Sequence, residues 1–175
     1  IAVSAKELHN LISAAKRSDP DAWALLVRRG YRRMLAYSRR RLPGESAVAA
    51  VEQTFERACE RIGDLRDTSS FDAWMFALLR SVIVELQRSR RTGRKGSQER
   101  GDEPSPQANG DLDGVRRAFA RLGAAEQDLL ELRVLGGLAS EEVASMLGSS
   151  QESVARTETT AVQRLRNMLA DGPIE

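Results

Sequence analysis

Apolar residues recur at three- and four-residue spacing along nearly the whole chain, the period of helices that bury one face. Leu8, Leu11, Ile12 and Ala15 mark a first helix that Ser4 can cap, and Ser18-Asp19-Pro20 is expected to stop it. Asp19 or Ser18 then caps a second helix with Pro20 in its opening turn. Its inner stripe is Trp23, Leu26, Val27, Met34, Leu35 and Leu42, as far as Pro43-Gly44. A third helix is predicted over 46–62, with Val48, Val51, Phe55, Ala58 or Cys59, and Ile62 inward. The stretch 63–70 reads as a loop. Ser70 is expected to cap a fourth helix that carries Trp74, Ala77, Leu78, Val82 and Leu86 and ends in Arg88-Ser89-Arg90-Arg91. No segment alternates with period two for long enough to be a strand, so the fold class is all-α.

The pattern breaks at 92–111, where four Gly and two Pro occur without one large apolar side chain. Such a stretch cannot bury itself, and the expectation is a flexible linker between two small helical domains, 1–91 and 112–170, with a tail at 171–175. Beyond it, Leu112, Val115, Phe119 and Leu122 predict one helix and Gly123 breaks it. Residues 126–135 supply another through Leu129, Leu130 and Leu132, which Gly136-Gly137 ends. Ser140 opens a short helix with Val143, Ala144 and Leu147 inward, and Gly148 turns the chain. Ser149 and Glu152 fit a capping box for a last helix over 151–169. A short helix, a Gly turn and a longer helix suit a DNA-reading helix-turn-helix and equally an ordinary helical hairpin.

Composition narrows the function. With 41% apolar and 30% charged residues the chain reads as globular. No apolar run approaches the roughly 20 residues of a membrane span and no signal-peptide pattern opens the chain, so a cytoplasmic protein without membrane insertion is expected. The chain opens on Ile1 rather than Met, which suggests a trimmed start or a partial sequence. A single cysteine, Cys59, forbids an internal disulfide and reads as an inert buried thiol, and a single histidine, His9, reads as a surface residue. Neither a catalytic constellation nor a metal or cofactor site emerges, and no enzyme is expected. Net charge is +2 overall but +6 over 1–91, −1 over 92–111 and −3 over 112–175. The basic half points to a polyanion or an acidic partner. Its densest part is Arg28, Arg29, Arg32, Arg33, Arg39, Arg40 and Arg41, a solvated helix face or a binding surface.

Two segments carry a resemblance. Phe71-Asp72-Ala73-Trp74-Met75-Phe76-Ala77-Leu78-Leu79-Arg80, leading into Arg88-Ser89-Arg90-Arg91, resembles the second conserved region of extracytoplasmic-function sigma factors. Glu126-Gln127-Asp128-Leu129-Leu130-Glu131-Leu132-Arg133, Gly137-Leu138-Ala139-Ser140-Glu141-Glu142-Val143-Ala144, Leu147-Gly148 and Gln163-Arg164-Leu165-Arg166 resemble the fourth. The resemblance implies a region-two-like bundle and a region-four-like helix-turn-helix, working as a promoter-specificity subunit that directs core RNA polymerase to promoter DNA. It also implies an anti-sigma factor as partner.

Carried over residue by residue, the resemblance implies polymerase docking through Glu52, Gln53 and Thr54. Contacts with the −10 element fall to Asp64, Arg66, Asp67 and Thr68, in a loop that would hold a flipped base, and to Arg80, Ser81, Arg88, Arg90 and Arg91. The −35 element falls to Gln151, Glu152, Ser153, Arg156, Thr157, Thr159 and Thr160 on the recognition helix. Two departures stand out. The acidic run that usually precedes the docking motif is absent, with Glu52 and Gln53 in swapped order. Over 151–163 the only basic residue is Arg156, against Glu152 and Glu158. These departures motivate an alternative, a sigma-derived regulator that binds a protein or small ligand without initiating transcription.

Overall fold

Ser4 Oγ accepts from Glu7 N and Glu7 Oε2 accepts from Ser4 N, a reciprocal cap that starts α1 (Ala5–Ala15). The computed structural model describes residues 4–93 and 110–170, with side chains for 4–90 and 113–170. Eight α-helices and no strand occur among the described residues, α1 being followed by α2 (Pro20–Arg39), α3 (Gly44–Arg61), α4 (Phe71–Gly93), α5 (Gly110–Ala120), α6 (Ala124–Val134), α7 (Ser140–Leu147) and α8 (Gln151–Ala170). The chain falls into two units, 1–102 and 103–175. α4 continues two residues past the expected end because Gln87, Arg88, Arg90 and Arg91 are good helix formers and Gly93 is the first breaker. α5 likewise begins at Gly110, so the expected linker is shorter at both ends; its remainder, 94–109, and the tail, 171–175, lie outside the described residues.

In the first unit α3 packs against both α2 and α4, and α1 packs on α2. The packing face of α3 is Ala47, Ala50, Val51, Thr54 and Ala58, and Phe55 is only half-buried. Small residues face the neighbouring helices, so the phase of the buried stripe differs from that expected. Cys59 is exposed, a correction to the inert buried thiol. On α4 the buried set is Phe71, Met75, Phe76, Leu78, Leu79, Val82 and Ile83; Trp74 is half-buried and Ala77 exposed, both expected inward. Tyr37 is fully buried at the centre, edge-on to Phe76 with ring centroids 5.5 Å apart.

In the second unit α5, α6 and α7 each pack on α8. The core is Ala118, Leu122, Leu129, Leu130, Leu132, Leu138, Val143, Ala144, Val154 and Ala161. Phe119 is half-buried and Val115 exposed, so α5 turns Ala118 inward instead, and Leu122, just past its end, is buried as expected; the side chain of Leu112 lies outside the described residues. α6 ends where Gly136 lies against its own last turn: a Cβ there would sit 2.4 Å from Leu132 O, a space only glycine fits. Gly137 follows at φ +65°. α7 ends in a Schellman motif, with Ser149 N donating to Ala144 O at 2.9 Å and Gly148 in the left-handed region at φ +64°. The cap of α8 is Ser150, whose Oγ accepts from Ser153 N at 3.1 Å, one residue later than the expected Ser149 and Glu152 pair.

Candidate polymerase-docking and nucleic-acid surfaces

On α3 the three residues expected to dock on polymerase separate. Glu52 is exposed and Gln53 half-buried, but Thr54 is fully buried, and its hydroxyl donates to Ala50 O at 2.6 Å. Thr54 lies four residues from Ala50 and Ala58, on the packing face, so it serves the bundle and offers no surface. The outer face carries Glu45, Glu52, Glu56 and Glu60, all exposed. Acidic charge is thus present as a helical stripe, although no acidic run exists in the sequence. The spacing of four from Glu52 to Glu60 was the signal for it. Beside the stripe Arg57 grips Glu85 of α4 with two bonds, 2.9 and 2.6 Å, and Ser81 Oγ donates to the same carboxylate at 3.3 Å. Ser81 is therefore engaged within its own helix.

The 63–70 loop is ordered by its own polar groups. Asp67 accepts from Ser69 N at 2.9 Å, from Ser69 Oγ at 2.7 Å and from Ser70 Oγ at 2.9 Å, folding Thr68–Ser70 into a 3-10 turn that leads into α4. Ser70, expected as the cap of α4, instead donates its hydroxyl to Asp67, which caps the 3-10 turn. Asp64 and Arg66 are exposed, while Thr68 is half-buried beside His9 of α1. Along α4 the −10 candidates fall on two rows. Ser81 and Arg88 lie on the exposed row of Glu85, and Arg80 lies half-buried, donating to Tyr37 Oη at 2.8 Å. Arg90 is half-buried and the side chain of Arg91 lies outside the described residues.

The arginine-rich α2 divides between inside and outside. Arg29 and Arg33 both bind Asp72 at the start of α4, at 2.6 and 2.8 Å. Arg41 lies 3.6 Å above the Tyr37 ring and donates to Tyr37 O. Arg28, Arg32 and Arg39 are exposed. Arg29, Arg33 and Arg41 therefore brace the bundle, which tempers the basic surface that the sequence suggests.

In the second unit the open side of α8 carries Gln151, Glu152, Arg156, Thr159 and Thr160, with Ser153 and Thr157 half-buried. Glu152 and Arg156 face each other at 3.8 Å across one turn, both largely exposed. Thr159 Oγ1 donates to Ala155 O. Glu158 turns the other way: Arg133 of α6 donates to it through Nε at 3.0 Å and to Leu138 O through Nη1. It is thus compensated beside the α6–α7 turn rather than facing out with Arg156, and the acid burden expected on the recognition helix falls to Glu152 alone. Nothing in the sequence paired Arg133 with a residue 25 positions on. Among the described residues no group of His, Cys, Asp or Glu is placed to hold a metal ion, and no helix is long and apolar enough to cross a membrane.

Among the described residues four carboxyls are held below their ordinary values: Glu7 by the backbone N–H of Ser4, Asp67 chiefly by Ser69, Glu85 by Arg57, and Glu126 by the backbone N–H of Gly123, with Arg164 also on it. Because each folded value lies below the unfolded one, the stability contributed is complete above about pH 4.5 and is lost as pH falls through the lowered values. Helicity followed by circular dichroism should hold from pH 7 to about 4.5 and fall only below it. A loss already complete at pH 5 would contradict these couplings.

The sequence and fold of this chain have relatives. It is 28% identical to the ECF RNA polymerase sigma factor ShbA of Streptomyces griseus over 176 residues, which cover 89% of this chain and 92% of the relative. It is 26% identical to the ECF RNA polymerase sigma factor BldN of Streptomyces coelicolor over 92% of this chain, and spans 65% of that relative's length. Among solved structures, the fold is similar to CnrH in complex with the cytosolic domain of CnrY, with TM-score 0.67, 22% identity and coverage of 93% of this chain and 97% of that one. It is also similar to the sigma factor RpoE in complex with the anti-sigma factor NepR from Bartonella quintana, with TM-score 0.58, 19% identity and coverage of 96% and 97%. The pattern of the ECF sigma factor family matches from residue 5 to residue 171, through both helical units, and the chain belongs to that family.

Proposed function

We propose that this chain is a promoter-specificity subunit of bacterial RNA polymerase that works in the cytoplasm by binding alone, with no catalytic residue and no cofactor. The first unit, through the end of α4 at Gly93, acts as the region-two-like domain that docks on core polymerase and meets the −10 element. The segment between α4 and α5, 94–109, acts as the tether, and 110–170 as the region-four-like domain that reads the −35 element. The observation that carries this reading is the family match over residues 5–171. It is supported by the acidic stripe on α3, the Schellman turn between α7 and α8, and the open polar face of α8. An anti-sigma factor is proposed as a further partner, as the solved relative RpoE has in NepR. Both grounds for a non-initiating regulator weaken. Acidic charge is present on the α3 surface as a stripe, and Glu158 is drawn off by Arg133.

Run-off transcription with core polymerase and a promoter fragment tests the reading, and no transcript from any promoter would favour the regulator. The docking surface is tested by Glu52→Lys. Reversing one exposed charge against a basic partner should weaken core binding roughly three- to tenfold, mostly through association rate, with helicity unchanged. Equal affinity for both proteins would place docking elsewhere.

A further inference from the structure

Two side chains of α1 reach the 63–70 loop across a long sequence separation. His9 Nδ1 lies 3.0 Å from Thr68 Oγ1, and Lys16 Nζ donates to Leu65 O at 2.5 Å. His9 and Lys16 are seven residues apart, two turns on one side of the helix, so α1 runs along the loop and meets it before and after Arg66 and Asp67. Leu65 is buried and its carbonyl is tied to Lys16, while Asp67 is already satisfied by Ser69 and Ser70. The Thr68 hydroxyl would otherwise rotate freely, with one O–H and two lone pairs to offer. His9 takes up one of these.

We propose that His9 is a positioning residue for the −10 contact, orienting the Thr68 hydroxyl toward an unpaired base while Lys16 holds the loop backbone. The proposal rests on the reading that this loop meets the −10 element. His9 is exposed and Thr68 half-buried, so their bond adds little to the stability of the bundle. What it sets is direction. If the ring N–H donates, Thr68 keeps its O–H for a base carbonyl; if the ring accepts, Thr68 keeps lone pairs for a base amino group. Either arrangement discriminates between bases at a single position.

The test uses the full chain with core polymerase on promoter fragments in which each −10 base is replaced in turn, and it reads open-complex formation. Thr68→Val should flatten the preference at one position by about three- to tenfold, the worth of one hydrogen bond. His9→Phe, which keeps a ring but no ring nitrogen, should flatten the same position. His9→Gln, whose amide can donate and accept, should recover part of the preference. The double variant His9→Phe with Thr68→Val should be no worse than Thr68→Val alone. If Thr68→Val flattens a position and His9→Phe leaves it intact, the role of His9 is overturned and the loop reading stands. If His9→Phe lowers every fragment equally with the preference kept, His9 is only structural and the proposal fails. If neither single variant changes any preference, the loop reading fails and takes the proposal with it.

Discussion

Replacing Tyr37 with alanine is expected to destabilise the first unit by about 3–5 kcal/mol, the range for deleting a fully buried aromatic ring. The loss has several parts at one site. The ring is fully buried, meets Phe76 edge-on at 84°, and carries the Arg41 guanidinium 3.6 Å above its centre. Its hydroxyl accepts from Arg80 at 2.8 Å. Tyr37→Phe separates the parts: it keeps the ring and should cost only about 1–2 kcal/mol for the lost acceptor. Small domains are stable by about 5–15 kcal/mol, so the alanine variant approaches unfolding and the phenylalanine variant does not. Urea unfolding of both checks the order. A loss below about 1 kcal/mol for Tyr37→Ala would mean that the α2–α4 junction repacks around the gap. Tyr37→Phe bears on function as well, because it removes one acceptor of the Arg80 guanidinium. Arg80 is a −10 candidate, so a change in promoter binding by the phenylalanine variant at full helicity would trace to that arginine.

What the sequence disclosed follows the range of each interaction. Caps and breakers act within a few residues and were legible: the Ser4 cap, a cap at Ser18 or Asp19 before Pro20, which is Asp19, and the turn at Gly148 all stand where the pattern puts them. Adjacent serines were not separable, since Ser149 with Glu152 and Ser150 with Ser153 satisfy the same spacing, and the second pair forms the cap. The buried face of α3 was misjudged because alanine carries a weak apolar signal, although it lets helices approach closely. Phe55 and Cys59 outweighed Ala47 and Ala50 in the pattern and are half-buried and exposed in the fold. The candidate site was harder to read because its decisive contacts cross the sequence. Asp72 collects Arg29 and Arg33 from about forty residues away, Arg57 finds Glu85, and Arg133 finds Glu158. Such pairs have no local signature, so the arginines of α2 read as one surface and Glu158 read as a charge facing DNA. Thr54 shows the converse: a motif match names the residue but not whether it faces the partner or the core.

The largest functional effect is expected in the salt dependence of promoter binding, because the charge is so unevenly divided. Each phosphate neutralised contributes about −0.9 to the slope of log affinity against log salt. Residues 112–175 carry a net −3, and Arg156 is the only basic residue over 151–163 of the proposed recognition helix. With Glu158 bound to Arg133, the local balance on the open side of α8 is Arg156 against Glu152, close to neutral. The second unit alone should therefore show a slope no steeper than about −2, equivalent to one or two phosphate contacts. The first unit and the whole chain should be steeper, since residues 1–91 carry +6 and Arg88 stands exposed at the far end of α4. Arg88→Gln should lower the slope of the whole chain by about 0.9 without changing base preference, as a phosphate contact does. Arg156→Ala should differ in kind. A bidentate guanine contact is worth about 1–3 kcal/mol, and its loss should relax preference at one position. Titration of 1–102, 103–175 and the whole chain on one promoter fragment supplies the three slopes. Tight, sequence-specific and steeply salt-dependent binding by 103–175 alone would overturn this division, because the attraction would then come from a surface whose charges sum against DNA.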